Sequence, residues 1–198
     1  MKNTKFMIGI VFSLAGLTFI LFPLYQEWQQ GKELRALEDA LSLISESNGA
    51  DVDLSAIEDL SLTEDQLKGV LELEIPTIGL KQKVLEETTE DNLNIALTQI
   101  KREQVPGFGN FTIAGHRGYR DKRHFSRLPK VKVGEKVYLY VGNKTFVYEV
   151  TSSSKIEPTA VETLDDREDK NEITLITCTV TGSDRIAVKG ELIETIED

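Results

Sequence analysis

The chain has 198 residues, 40% of them hydrophobic and 7% aromatic, which suits one globular domain of ordinary size with appendages and excludes a disordered or fibrous protein. The net charge of −10 is segregated: residues 1–26 carry +2, 27–70 carry −8, 71–95 carry −4, 96–136 carry +7 and 137–198 carry −7. Basic and aromatic residues are not interleaved and no groove-reading motif is present, so nucleic acid is not expected as a partner, and a single cysteine rules out an intramolecular disulfide.

From Phe6 to Leu24 the chain runs without a charge, preceded by Lys2 and Lys5. As a helix rising ~1.5 Å per residue, this run nearly crosses a hydrocarbon core of ~30 Å. Tyr25 and Trp28 follow at headgroup level, and then the chain turns acidic. Lysines before and carboxylates after predict a single-pass cell-membrane protein with a cytoplasmic N-terminus and the remainder outside. Pro23-Leu24-Tyr25-Gln26 offers no small-x-small cleavage pattern, so a retained anchor is expected rather than a cleaved signal peptide.

Residues 27–48 read as a helix, with Leu34, Leu37, Leu41 and Ile44 at helical spacing and Asn48-Gly49 as its stop. Its apolar stripe is a stalk face, a packing face or a surface near the membrane. A short helix can start at Thr63-Glu64-Asp65. The division is therefore 1–26 for the cytoplasmic tip and anchor, 27–69 for a helical, acidic linker or appendage, and 70–198 for a folded domain.

From Val70 onward, short β-type runs alternate with turn signals. They are Val70–Ile75, Leu80–Leu85, Phe111–Ala114, Lys136–Val141, Thr145–Ile156, Glu172–Thr177 and Arg185–Leu192, with Gly142-Asn143 as a tight hairpin turn. Thr88 or Thr89 caps one short helix expected to contain Leu93 and Leu97. This pattern predicts a mainly antiparallel β-barrel.

Chemistry centres on Cys178, the only cysteine, at the end of the run Thr174–Cys178. A cysteine nucleophile needs a base or ion-pair partner and a donor for the oxyanion. His116 ends the run Phe111–Gly115, a strand end like that of Cys178, and Gly115 lets a backbone or substrate approach. His124, beside Arg120-Asp121-Lys122-Arg123, reads as exposed. Arg185 opens the last strand, with Thr179 to Asp184 as the returning loop that sets it beside the thiol. Taken alone, His116 reads as a structural histidine and Arg185 as a surface ion pair; a sole cysteine in the chain brings the catalytic reading of His116 level with the structural one. The positive stretch around His116 is either a basic rim for an anionic partner or a solvated loop. Ligand spacing for a metal is absent, and neither metal nor cofactor is expected.

These segments resemble the sortases, membrane-anchored cysteine transpeptidases of Gram-positive bacteria. The resemblance covers Leu71 to Ile193. It rests on Leu73-Glu74-Ile75-Pro76-Thr77-Ile78-Gly79-Leu80, on Gly107-Phe108-Gly109-Asn110-Phe111-Thr112-Ile113-Ala114-Gly115-His116, and on Phe125-Ser126-Arg127-Leu128 with Val133–Val137. Glu157-Pro158-Thr159-Ala160-Val161 and Thr174–Cys178 complete it.

The resemblance implies a closed eight-stranded barrel, one strand more than the pattern reveals. It implies that Cys178 attacks an LPXTG-like sorting signal after Thr, that His116 protonates the departing amine, and that Arg185 steadies the carbonyl and oxyanion. The thioester would pass to an amine of a peptidoglycan precursor, anchoring the surface protein to the wall. By position, Ala114, Val161, Leu164, Ile176 and Thr177 would line the sorting-signal groove. Gln99-Ile100-Lys101-Arg102-Glu103 is too basic for the calcium site of some members. The short Thr179–Asp184 loop, with no lid and no second span, is nearest to class A or class D members. Two other readings stay open: a cysteine endopeptidase releasing surface peptides to water, and a noncatalytic wall-associated module with Cys178 buried.

Overall fold

The computed structural model describes residues 2–46, 53–118 and 123–197. It divides into two compact units, Met1–Leu62 and Thr63–Asp198.

In the first unit, helix α1 runs unbroken over Lys2–Glu46, with Pro23 inside it. Its 45 residues make a rod of ~68 Å at ~1.5 Å per residue, more than twice the bilayer core. Every side chain from Phe6 to Gln26 is exposed, although most are apolar. An apolar surface of this extent on all sides of a helix is matched to lipid rather than water. Farther along, Tyr25 packs at 6.1 Å from Trp28 and the Lys32 ammonium lies 4.7 Å over the Trp28 ring. Lys32 also pairs with Asp59 at 2.7 Å.

The second unit opens with α2 (Glu64–Lys68), started by a capping box in which Thr63 and Gln66 exchange hydrogen bonds. The strands are β1 (Leu71–Ile75), β2 (Leu80–Leu85), β3 (Leu97–Gln99), β4 (Asn110–Ala114), β5 (Lys136–Val141), β6 (Lys144–Ile156), β7 (Glu172–Cys178) and β8 (Arg185–Glu197). They close a barrel in the order β1-β2-β3-β4-β7-β8-β6-β5. The pairs β2·β3 and β4·β7 are parallel and the other six antiparallel, so the barrel is mainly antiparallel, as the sequence pattern predicts.

Alternation explains the closure. Leu73 and Ile75, Phe111 and Ile113, Val137 and Leu139, Tyr148 and Val150, and Ile173 and Leu175 each sit two apart and fill one interior core. Tyr148 is wholly buried, and its hydroxyl accepts the Gly107 N–H at 3.1 Å while burial pushes its pKa up to about 12.

One expected assignment fails. Helix α3 spans Glu90–Ile95, capped by Thr89, which accepts the Asn92 N–H at 3.1 Å. Leu97 is not on that helix but opens β3, pairing with Val84 on β2. A three-residue strand is too short to display alternation, so its neighbours decide it.

Candidate active site

Strands β4, β7 and β8 are adjacent, and their ends bring three side chains to one edge of the barrel. Ala114 is the Cα partner of Ile176, and the Gly115 N–H continues the ladder onto the Ile176 carbonyl at 3.1 Å. His116 therefore leaves β4 alongside Cys178, the last residue of β7, on strands spaced ~4.8 Å apart. On the other side, Cys178 is the Cα partner of Arg185, the first residue of β8. Residues directly opposite in an antiparallel pair project to the same face. Cys178 alternates with Leu175 and Thr177, so with Ile176 it faces away from the core. It is a free, half-buried thiol.

The loop from Thr179 to Asp184 is tightly closed. The Thr179 N–H donates to the Asp184 carbonyl at 2.9 Å, and the Asp184 N–H donates to Thr179 Oγ1 at 3.2 Å. Arg185 Nη1 donates to the carbonyls of Gly182 (3.1 Å) and Asp184 (3.2 Å). The Asp184 carboxylate pairs instead with Lys155 at 3.0 Å, which holds it below the usual carboxylate range. The arginine is thus not the surface ion pair that its aspartate neighbour invited. Among the described residues its Nε and Nη2 make no hydrogen bond, so they remain for another acceptor.

The segment between β6 and β7, which includes the 3-10 turn Val161–Leu164, is fastened to the start of β4. Asn110 Nδ2 donates to the carbonyls of Thr163 (3.0 Å) and Asp165 (3.2 Å), and its Oδ1 accepts from Thr174 Oγ1 at 2.6 Å. The Asn110 N–H donates to Asp166, which also pairs with Lys101 at 2.7 Å. A Cβ on Gly109, at φ +57°, would stand 2.7 Å from that carboxylate. Arg167 forks onto the buried Glu172 carboxylate and holds it below the usual range.

Of the residues assigned to the groove, Ala114 and Ile176 are half-buried and paired on the outer face, Leu164 is half-buried and Val161 is 67% exposed. Thr177 projects to the other side. It is 2% exposed and donates to the Gly115 carbonyl at 2.8 Å, which locks the ends of β4 and β7 together. Asn110, Asp166 and Lys101, which pin the loop, were not singled out by sequence reasoning; the glycines flanking Phe108 were the available signal.

Two other expectations change. Gly115 does not make room for a backbone or ligand: a Cβ there would meet Leu97 at 2.5 Å and Phe125 at 2.7 Å, so the core itself requires glycine. His124 is not exposed among charges but buried, at φ +46°. Burial chiefly, with the charges of Arg123 and His116, pushes its pKa down to about 4. Part of the basic rim is also committed internally: Lys101 to Asp166, Arg102 to Glu87 at 2.8 Å, and Arg127 to the Ile78 carbonyl at 3.4 Å.

The family model described as Sortase domain matches residues 73–193. Sortase A of Bacillus anthracis is 37% identical over 145 residues, covering 72% of this chain and 68% of that protein. Sortase A of Listeria monocytogenes is 35% identical over 104 residues, covering 52% of this chain and 46% of that protein, so the chain spans only about half of this second relative. A Clostridium perfringens sortase D5 transpeptidase structure superposes with a TM-score of 0.64 at 27% identity, over 83% of this chain and 99% of that one.

Proposed function

Because the chain belongs to the sortase family of cysteine transpeptidases, we propose that it is a membrane-anchored enzyme that cleaves an LPXTG-like sorting signal after Thr and joins the surface protein to a cell-wall amine. Residues 1–26 serve as tip and anchor, 27–69 as linker and 70–198 as the catalytic domain, with the N-terminus cytoplasmic. The exposed apolar length of α1 supports the anchor.

The observation that carries the reading is the pairing of Cys178 with Arg185 at the strand end that His116 shares. The Cys178 thiolate adds to the Thr carbonyl carbon, forming a C–S bond and an oxyanion. Arg185 donates to that oxyanion through a planar fork in the stage where the charge is greatest. As the intermediate collapses, the C–N bond breaks and His116 gives its proton to the leaving amine. A thioester remains. The incoming amine adds to it, gives a proton to His116 and expels the thiolate, leaving an amide and regenerated enzyme. Ala114, Val161, Leu164 and Ile176 form the groove for the signal, with Thr177 holding the floor from behind. The half-buried, free state of Cys178 favours this over a noncatalytic module with an inert thiol.

The test is product partition. The full chain in detergent is given a sorting-signal peptide with and without a primary amine such as triglycine. Amide replacing acid as amine is added is the expected result. Acid alone at every amine concentration would make the protein an endopeptidase.

A further inference from the structure

The chain has two histidines, and the fold brings them together. The Phe125 N–H donates to the His116 carbonyl at 3.0 Å, which returns the chain to the end of β4. The His124 ring then stands 6.4 Å from the His116 ring, centroid to centroid, at 78°. This is an edge-to-face contact, the arrangement aromatic rings prefer.

His124 occupies this place at a cost. Its backbone sits at φ +46°, a left-handed conformation that histidine enters more often than most side chains but that still costs about 1–2 kcal/mol. The residue is 5% exposed, and among the described residues its buried Nδ1 has no partner. With the Asn94 carbonyl beside the ring and Nδ1 bare, the neutral ring carries its proton on Nε2. Leu would fill much of this volume without a bare nitrogen, but it would present no ring to His116. A buried ring held at positive φ and set edge to face with His116 suggests that His116 is the reason for it. Strain of this kind concentrates where a functional group must be held.

We propose that His124 is a positioning residue for His116: its immobile ring forms a wall that restricts the His116 imidazole to the orientation used in proton transfer. His116 itself is exposed, so little else confines it. The wall does its work without taking the proton. His124 stays neutral to about pH 4, whereas a second titrating imidazole would put a like charge beside the first.

This inference rests on the transpeptidase reading, and the test separates the two. His124→Phe and His124→Leu both remove the nitrogens and fill the site, but only Phe keeps a ring. In each, His116 is the sole histidine, so its ring signals in 15N and 13C NMR spectra of the full chain in micelles are unambiguous. The Phe variant is expected to keep kcat within about threefold and one ordered His116 ring conformation. The Leu variant is expected to lose at least fivefold in kcat, with KM within twofold and an averaged His116 ring, while its amide spectrum elsewhere matches wild type. Equal kcat in the two variants, or an ordered His116 ring in the Leu variant, would overturn the proposal. Failure of the Phe variant to keep activity while folded would do the same. If the wild-type chain turns over no peptide, the functional reading fails, and the His116 ring spectra alone decide the role of His124.

Discussion

Gly115→Ala separates two explanations of the glycine before His116. If the glycine served substrate approach, an alanine would raise KM and leave stability alone. The packing predicts otherwise, since the added methyl meets Leu97 at 2.5 Å and Phe125 at 2.7 Å, both wholly buried. Overpacking of this kind costs typically 1–3 kcal/mol, and with two immobile neighbours the upper half applies. The lost unfolded-state entropy of glycine returns about 0.4–1 kcal/mol, because this position does not need a left-handed backbone. The net is about 1–2.6 kcal/mol, or roughly 3–10 °C in melting temperature for a unit of this size. Phe125 carries the hydrogen bond to the His116 carbonyl, so its displacement moves the imidazole and lowers kcat on the order of tenfold or more. Thermal unfolding of the full chain in micelles, followed by tyrosine near-UV circular dichroism, reads the stability. Adding Leu97→Val opens space on one side, and the double variant should recover at least ~1 kcal/mol over additivity. A Gly115→Ala protein with unchanged melting temperature and raised KM would refute the packing argument.

Arg185→Lys is expected to lose most of its activity in kcat despite the retained charge, because a point charge cannot reproduce the fork; near wild-type kinetics would show that the guanidinium does not hold the oxyanion. Acid sensitivity should be traceable to His124. Its folded pKa of about 4 lies below the ordinary value of 6.5, so the unfolded chain takes the proton first. Its contribution is whole above pH 6.5 and is lost as pH falls to about 4, amounting to about 3 kcal/mol. Urea melts at pH 7 and 4.5 should show this slope in wild type and not in His124→Phe, and an identical slope in both would contradict it. The carboxylates of Glu172 and Asp166, held below their usual range, act at lower pH. Lys101→Met breaks a half-exposed ion pair worth about 0–1 kcal/mol, so the melting temperature should hold while KM for the peptide rises through the loosened loop; an unchanged KM would mean that Asn110 suffices as the tether.

Much of the barrel was legible because its strands alternate. Seven of the eight declared themselves through β-branched runs bounded by turns, as did the Gly142-Asn143 hairpin between β5 and β6. β3 was not legible, since three residues carry no period and the parallel pairing with β2 depends on a chain crossover. Cys178, His116 and Arg185 could be nominated because each terminates or opens a strand. The roles of Gly115 and His124 could not be, because both depend on residues distant in sequence. Leu97 and Phe125 decide the glycine, and the return of Phe125 to His116 buries a histidine that local charge marks as exposed.

The central claim is covalent catalysis by Cys178, and intact-mass spectrometry of the full chain with a sorting-signal peptide and no added amine tests it most directly. The account predicts a transient adduct equal to the peptide up to its Thr, carried on Cys178, released by hydroxylamine and absent from Cys178→Ala. Cleavage of the peptide by Cys178→Ala, or an adduct mapped to any other residue, would contradict it.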